Sequence, residues 1–338
     1  MTPKALNVAV VGVGHLGRVH ASIYAEHPDA NLAYVVDADG ELAQKVASEH
    51  GAKALSDARE LPDDIDAVSV VVPTVHHATV ATALLERGIP VLVEKPLASN
   101  LEEADAILAA AERSGAKLAV GHVERFQPGV RKLREMGMRP RFIECHRLAP
   151  FRVRAVDVGV VHDLMIHDLD LVLHLVDAPV ASIDAAGGAL LTASEDVASV
   201  RIVFENGARA NVTASRASLK PMRRFRMFSS EGYISLDFHE NHGLVVRKGP
   251  NWDESKAQLA GLDPSRLGDA PSLDWLTSGL IDVTQLELAG EQRPLQAELD
   301  AFLSAVSEDR TPEVTGGDGR RALELADRIR AAVADQSW

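Results

Sequence analysis

Through residue 122 the apolar positions come in short, β-favouring runs separated by stretches of helical period. The runs are Leu6–Val11, Asn31–Val36, Ala67–Val72, Pro90–Val93 and Lys117–Val120, with a shorter strand and turn in Ala52–Asp57. Ala67–Val72 is nearly all apolar, as in a parallel strand covered by helices on both faces. Helices are predicted from Gly17 through Ile23, over Gly40–Gly51, from the Pro73–His77 turn to Gly88, and over Leu101–Ser114. Ser99 or Asn100 caps the last, with Glu102 and Glu103 in its first turn, where the helix dipole favours anions. Strands and helices alternating at this rhythm predict a doubly wound parallel sheet.

Beyond residue 122 the pattern changes. Gln127–Gly137 reads as a helix and Phe142–Leu148 as a strand. Val158–Val176 is apolar at helical spacing yet carries His162, Asp163, His167, Asp168 and Asp170. Period-two alternation then predicts strands at Ala181–Leu191, Val197–Phe204, Ala208–Arg216, Arg224–Ser229, Tyr233–His239 and Leu244–Lys248. Asn206-Gly207 is a strong hairpin signal. Asn251–Ser278, rich in Gly, Pro, Asp and Ser, reads as a long loop with short helices, an oligomer contact or a lid. Pro294–Glu308 is amphipathic, and Gly316–Gly319 is expected to cap a last helix, Arg320–Ala334.

The expected fold class is therefore α/β: an N-terminal doubly wound parallel sheet, then a C-terminal α+β domain with a large, open, mostly antiparallel sheet. The expected domains are 1–122 and 123–338, with the last helix, 320–334, able to pack back on the first domain. An open sheet packs one face on helices and leaves the other in need of cover, which predicts a homodimer or homotetramer through the C-terminal sheet.

The first strand runs into Gly12-Val13-Gly14-His15-Leu16-Gly17, a G-x-G-x-x-G between strand and helix, the context its chemistry requires. Gly12 makes the tight turn, Gly14 lets a pyrophosphate approach the backbone, and Gly17 lets the helix pack close to its strand. Asp37 ends the next strand, twenty residues after Gly17, where a carboxylate accepts hydrogen bonds from both ribose hydroxyls and repels a 2′-phosphate. No arginine immediately follows it, so NAD is expected over NADP. Ligands on such sheets sit at the carboxyl ends of the strands. The residues there are Asp37, Pro73, Thr74, His77, Glu94, Lys95 and His122, and with Gly12, Gly14, His15, Leu16 and Gly17 they make the expected cofactor site.

Composition narrows the partners. A net charge of −14 and 4% aromatic residues argue against a nucleic-acid binder, which needs basic surface and stacking platforms. No apolar run reaches the length of a membrane span, and nothing at the N-terminus resembles a signal peptide. Cys145 is the only cysteine, which fits a reducing cytoplasm.

Two groups could carry chemistry. Glu94-Lys95-Pro96 puts a lysine in the predicted crevice, where it can stabilise the alkoxide of a hydroxyl under oxidation; a surface ion pair is the plainer alternative. Asp163 and His167 lie four apart on one helix face, so the carboxylate can fix the imidazole's tautomer and raise its basicity as a general base. Metal ligation by His162, Asp163, His167 and Asp170 is a rival reading, as is a polar network with a purely structural role. Hydride transfer to a nicotinamide needs no metal, and none is expected.

The pieces VVGVGHLGRVHASIY, VVVPTVHHATV, VEKPLA, VVHDLMIHDLDL and GGDGRRALELADRI resemble the Gfo/Idh/MocA oxidoreductases along essentially the whole chain. The resemblance implies a Rossmann domain followed by an open-sheet assembly domain, and Lys95, Asp163 and His167 as the catalytic set. Within the family, GHVERFQP, HRLAPF and DLMIHDLDL are similar to UDP-N-acetylglucosamine 3-dehydrogenases. That likeness implies a nucleotide-sugar substrate, with Lys95 and His167 at the sugar and Arg125, Arg152 and Arg154 as cations for its diphosphate. Arg147 and the cluster Arg216, Lys220, Arg223 and Arg224 are further candidates. A free polyol or monosaccharide substrate, a cofactor recycled within each turnover, and a non-catalytic NAD sensor are the alternatives.

Overall fold

The computed structural model describes residues 5–151, 158–250, 252–253, 281–288 and 292–335. The chain packs as two compact units, Met1–Phe126 with Gln292–Arg328, and Gln127–Glu291 with Ile329–Trp338.

The first unit is built on β1 (Leu6–Val11), β2 (Ala30–Val36), β3 (Lys53–Leu55), β4 (Ala67–Val70), β5 (Val91–Glu94) and β6 (Leu118–Gly121). They pair in parallel in the order β3-β2-β1-β4-β5-β6, which reverses direction between β1 and β4. Every residue of β4, β5 and β6 is buried, which explains why these strands read as nearly all apolar. On one face Val8, Val10, Val35 and Leu92 pack with Ala21 and Tyr24 of α1 (His15–Glu26) and Val46 of α2 (Gly40–His50). On the other, Val68, Val70, Val91 and Val93 pack with Leu84 and Leu85 of α3 (His77–Glu86) and Ile107 of α4 (Leu101–Ser114). Asn100, not Ser99, is the cap of α4: its side chain accepts the Glu103 N–H at 2.9 Å.

The second unit opens with α5 (Pro128–Glu135) and carries β7 (Phe142–Leu148), α6 (Ile166–Val176) and β8 to β13. Those strands are Val180–Gly188, Val197–Phe204, Arg209–Ser215, Met222–Phe228, Gly232–Asp237 and His242–Lys248. A strand that the sequence reading did not assign, β14 (Ile281–Glu287), completes an eight-stranded sheet in the order β14-β13-β12-β11-β7-β10-β9-β8. Among the described residues the one parallel pairing is β7 with β10; the rest are antiparallel. The hairpin at Asn206-Gly207 forms as expected, with Gly207 in the left-handed region that the turn requires.

Two C-terminal helices follow, α7 (Pro294–Ser307) and α8 (Gly316–Ala334). Leu299, Phe302 and Leu303 of α7 join the first unit's core. Helix α8 begins at Gly316, four residues earlier than the expected start at Arg320. Thr315 explains this: its hydroxyl accepts the Asp318 N–H at 3.2 Å while the Asp318 carboxylate accepts the Thr315 N–H at 2.9 Å, a reciprocal cap. Most of Asn251–Ser278 lies outside the described residues.

Candidate active site

In the first unit the glycine loop has the geometry its residues demand. Gly12 sits at φ +88°, and a Cβ there would stand 2.7 Å from the Val72 nitrogen. A Cβ on Gly17 would stand 1.8 Å from the Gly12 oxygen, so helix α1 could not approach its strand. Around Gly14 a Cβ would meet nothing within 4 Å, and His15 and Leu16 beside it are exposed. Two positions are thus glycine because protein crowds them, and the third is glycine where space is open, as a dinucleotide pyrophosphate needs. The residues present fit the cofactor that the fingerprint predicts.

Asp37 is half-buried at the end of β2. Its Oδ2 accepts the Val13 N–H at 2.8 Å and its Oδ1 the Asp39 N–H at 2.9 Å. The carboxylate therefore fixes the glycine loop itself, while each oxygen keeps lone-pair capacity for a ribose hydroxyl. Pro73 is exposed and Thr74 half-buried at the end of β4. His77 is 1% exposed, with Nδ1 2.9 Å from the Pro96 carbonyl and Nε2 2.9 Å from the Val72 carbonyl. Its side chain is thus committed to the protein backbone and is not available as a cofactor ligand. Burial pushes its pKa down, against the two carbonyls, which favour the cation. His122 is buried at the end of β6.

Glu94 is buried too. One oxygen lies 3.2 Å from Nε2 of His20 and the other accepts the Lys95 N–H at 3.2 Å. Lys95 is half-buried, and the Lys95-Pro96 peptide is cis. Arg125, expected at a substrate diphosphate, is 4% exposed with its guanidinium 3.4 Å from Asp318. Burial alone would raise the Asp318 carboxyl, but Arg125, the Thr315 backbone and Arg321 outweigh it and hold the group well below the usual range. Arg125 is accordingly a structural cation of its own unit.

In the second unit Asp163 lies in a π-helical turn, Val161–Met165, and His167 in the first turn of α6; both are half-buried. Single π turns inside helices recur at functional sites. Glu195 holds the start of this turn: its backbone oxygen accepts the Val160 N–H at 2.9 Å and its carboxylate the Val161 N–H at 3.3 Å. Behind it, Asp196 accepts N–H bonds from Leu190, Leu191 and Thr192 at 2.6–2.9 Å and pairs with Arg216 at 3.0 Å. Burial would raise this carboxyl, yet the three N–H donors lower it to about 2. Arg216 also donates to the Val158 and Glu195 carbonyls, so it serves the turn, not a ligand.

The other candidate cations scatter. Arg147 forks onto Asp168, Nε to Oδ2 at 2.8 Å and Nη2 to Oδ1 at 2.9 Å, and is buried. Arg224 pairs with Asp237, and Arg223 stacks over Phe238. Arg152 and Arg154 lie outside the described residues. Among the described residues no group of three His, Cys, Asp or Glu side chains is placed to hold a metal ion.

Sequence reasoning missed His20, Glu195, Asp196 and the pairing of Arg147. The signal for His20 was present: three residues after Gly17, it falls on the buried stripe of α1 with Ala21 and Tyr24, where a polar side chain is out of place.

A family model described as the oxidoreductase family with an NAD-binding Rossmann fold matches residues 6–122, and one for the GFO/IDH/MocA C-terminal domain matches 138–235. The chain is 36% identical over 329 residues to UDP-N-acetylglucosamine 3-dehydrogenase of Acidithiobacillus ferrooxidans, covering 97% of each. A solved structure of that enzyme superimposes with a TM-score of 0.84 over 98% of each chain. Inositol 2-dehydrogenase of Rhizobium meliloti is 26% identical, covering 97% of this chain and 96% of its own. A levoglucosan dehydrogenase in complex with NADH and levoglucosan, at 21% identity and TM-score 0.80 over 99% of each chain, shares the fold.

Proposed function

Because the chain belongs to the Gfo/Idh/MocA family of NAD-binding oxidoreductases, we propose that it oxidises the 3-hydroxyl of UDP-N-acetylglucosamine to the ketone. The observation that carries the substrate is the 36% identity with the Acidithiobacillus enzyme over 97% of both chains, against 26% with the Rhizobium meliloti inositol enzyme over a similar length.

NAD, when bound, supplies the hydride acceptor. The glycine loop, with the open space at Gly14, would hold its pyrophosphate on the N-terminus of α1, and Asp37 its adenine ribose. Asp37 also supports NAD over NADP, since a carboxylate there repels a 2′-phosphate. His167 takes the proton of the sugar hydroxyl, Asp163 fixes its tautomer, and the Lys95 ammonium stabilises the oxygen as it gains charge.

The open face of the second unit's sheet supports a homo-oligomer. One row across it is Phe142, Phe228, Tyr233, Val246 and Val283, brought into line by the strand register. Phe228 stacks on Phe142 and Tyr233 at centroid distances of 5.7 and 4.7 Å. An aromatic and apolar row marks an interaction surface, and a second copy of the chain is the partner proposed for it. The single cysteine, buried and unpaired, fits a cytoplasmic enzyme.

The test is to follow reduced nicotinamide with NAD or NADP, offering UDP-sugars, inositol and glucose, on protein whose mass is measured by light scattering. Oxidation of UDP-N-acetylglucosamine with NAD by an assembly of at least two 36.2 kDa chains is expected. General-base catalysis is worth about 10²–10⁴-fold, so Lys95→Ala and His167→Ala should lose turnover on that scale while still binding NAD. Activity on inositol with none on the UDP-sugar would overturn the substrate, and full turnover in both variants would overturn the roles.

A further inference from the structure

Lys95 stands between two residues that the first unit grips through buried imidazoles. On its N-terminal side the Glu94 carboxylate is 7% exposed and divides its oxygens between the Lys95 N–H and Nε2 of His20, each at 3.2 Å. His20 is fully buried on α1, the helix that follows the glycine loop. Gly121 closes the space on another side: a Cβ there would come within 2.9 Å of all three carboxyl atoms of Glu94. On the C-terminal side the Pro96 carbonyl lies 2.9 Å from Nδ1 of His77, whose Nε2 lies 2.9 Å from the Val72 carbonyl. His77 is the first residue of α3 and 1% exposed.

Two imidazoles and a carboxylate are a costly choice for the end of a sheet whose core is dominated by Val, Leu, Ile and Ala. Buried polar groups destabilise unless every one is paired, and well-packed apolar side chains of similar volume are often as stable or more so. Directional bonds do offer what apolar packing lacks, one defined backbone position. A lysine head group on four rotatable carbons is only as well placed as the backbone it springs from. A misplacement of about 1 Å can cost roughly 10²-fold in rate.

We infer that His20 and His77 are positioning residues that hold the Lys95 backbone from both sides, His20 through Glu94 and His77, as the Nδ1–H tautomer, through Pro96. The inference rests on Lys95 being the catalytic lysine of the proposed function. It joins the helix of the glycine loop to the lysine through a chain of only two hydrogen bonds, His20 to Glu94 and Glu94 to Lys95.

The substitutions that test it follow from which ring nitrogen makes each bond. The Gln amide nitrogen reproduces Nε2 and the Asn amide nitrogen reproduces Nδ1. His20→Gln and His77→Asn therefore keep the bonds towards Lys95, whereas His20→Met and His77→Leu fill the space without them. His20→Met and His77→Leu should lose about 10- to 100-fold in kcat, with the sugar KM and the NAD Kd within about threefold of wild type. His20→Gln and His77→Asn should recover most of that loss. In the cofactor-free protein with ¹³C-methylated lysines, the Lys95 resonance, assigned by its disappearance in Lys95→Arg, should move in the apolar variants and return in the amide ones.

Folded apolar variants with wild-type kcat and an unmoved Lys95 resonance would overturn the inference. So would amide variants as defective as the apolar ones. If an apolar variant does not fold, the comparison passes to His20→Gln against His20→Asn and His77→Asn against His77→Gln, where equal defects overturn it. Should no sugar be turned over at all, the proposed function fails, and the resonance still decides this inference.

Discussion

Arg147→Met is the sharpest probe of the helix that carries His167. Arg147 stands on β7 and Asp168 on α6, with side chains 9% and 7% exposed and two parallel bonds of 2.8 and 2.9 Å between them. Substitution leaves the Asp168 carboxylate buried without this partner, which costs about 3–5 kcal/mol. Removing both charges in Arg147→Met/Asp168→Leu should cost far less, because the desolvation of both ions is recovered along with the loss of their attraction. With a urea slope of about 3 kcal/mol per molar, the single variant should lower the unfolding midpoint by about 1 M or more. The double variant should stand close to wild type. Far-UV circular dichroism in urea reads both. Cys145, two residues from Arg147 on the same strand, already has its thiol pushed up by burial and then by Asp168. Loss of the opposing Arg147 charge should leave it unreactive to thiol reagents in the folded single variant. Since Asp168 follows His167 directly, turnover should fall in the single variant as well. A single variant within about 1 kcal/mol of wild type, or a double variant as unstable as the single, would refute the reasoning.

Two further outcomes follow from the carboxylates. Asp37→Ala removes the acceptor for the Val13 and Asp39 N–H groups and the charge facing a 2′-phosphate. NAD should bind at least about tenfold more weakly while NADP gains relative to it, as measured by titration of protein fluorescence; an unchanged ratio would remove Asp37 from cofactor choice. Asp196 has its pKa depressed to about 2 in the folded chain. Its contribution is therefore fully present above the unfolded value near 3.8 and is lost as pH falls through about 2. Asp196→Asn should be less stable than wild type at neutral pH and should show a shallower loss of stability between about pH 4 and 2; parallel curves would contradict this.

The cofactor half was legible because its signals are local. The glycines of the fingerprint, the buried parallel strands and the polar residue that ends each strand are each set by steric or period rules that act over a turn or less. The pairings of three cation candidates were hidden for the opposite reason. Arg125, Arg147 and Arg216 look alike in sequence to solvated arginines or diphosphate ligands. What pairs them is a partner on another element that no local pattern points to: Asp318, Asp168 and Asp196 respectively. The π turn at Val161–Met165 was also not legible, since a single i→i+5 turn within a helical segment carries no residue signature of its own.

Amino-acid order alone therefore determined the alternation of strands and helices, the dinucleotide loop with Asp37, and the presence of Lys95, Asp163 and His167 in a pattern shared with an enzyme family. Tertiary structure alone decided that β7 enters the middle of the second sheet, parallel to β10 and antiparallel to β11. It also decided that Glu94 meets His20 across 74 residues. The physical reason is common to both. Local periodicity records which face of an element is buried, whereas hydrogen bonds and ion pairs between distant segments depend on how those faces are finally stacked.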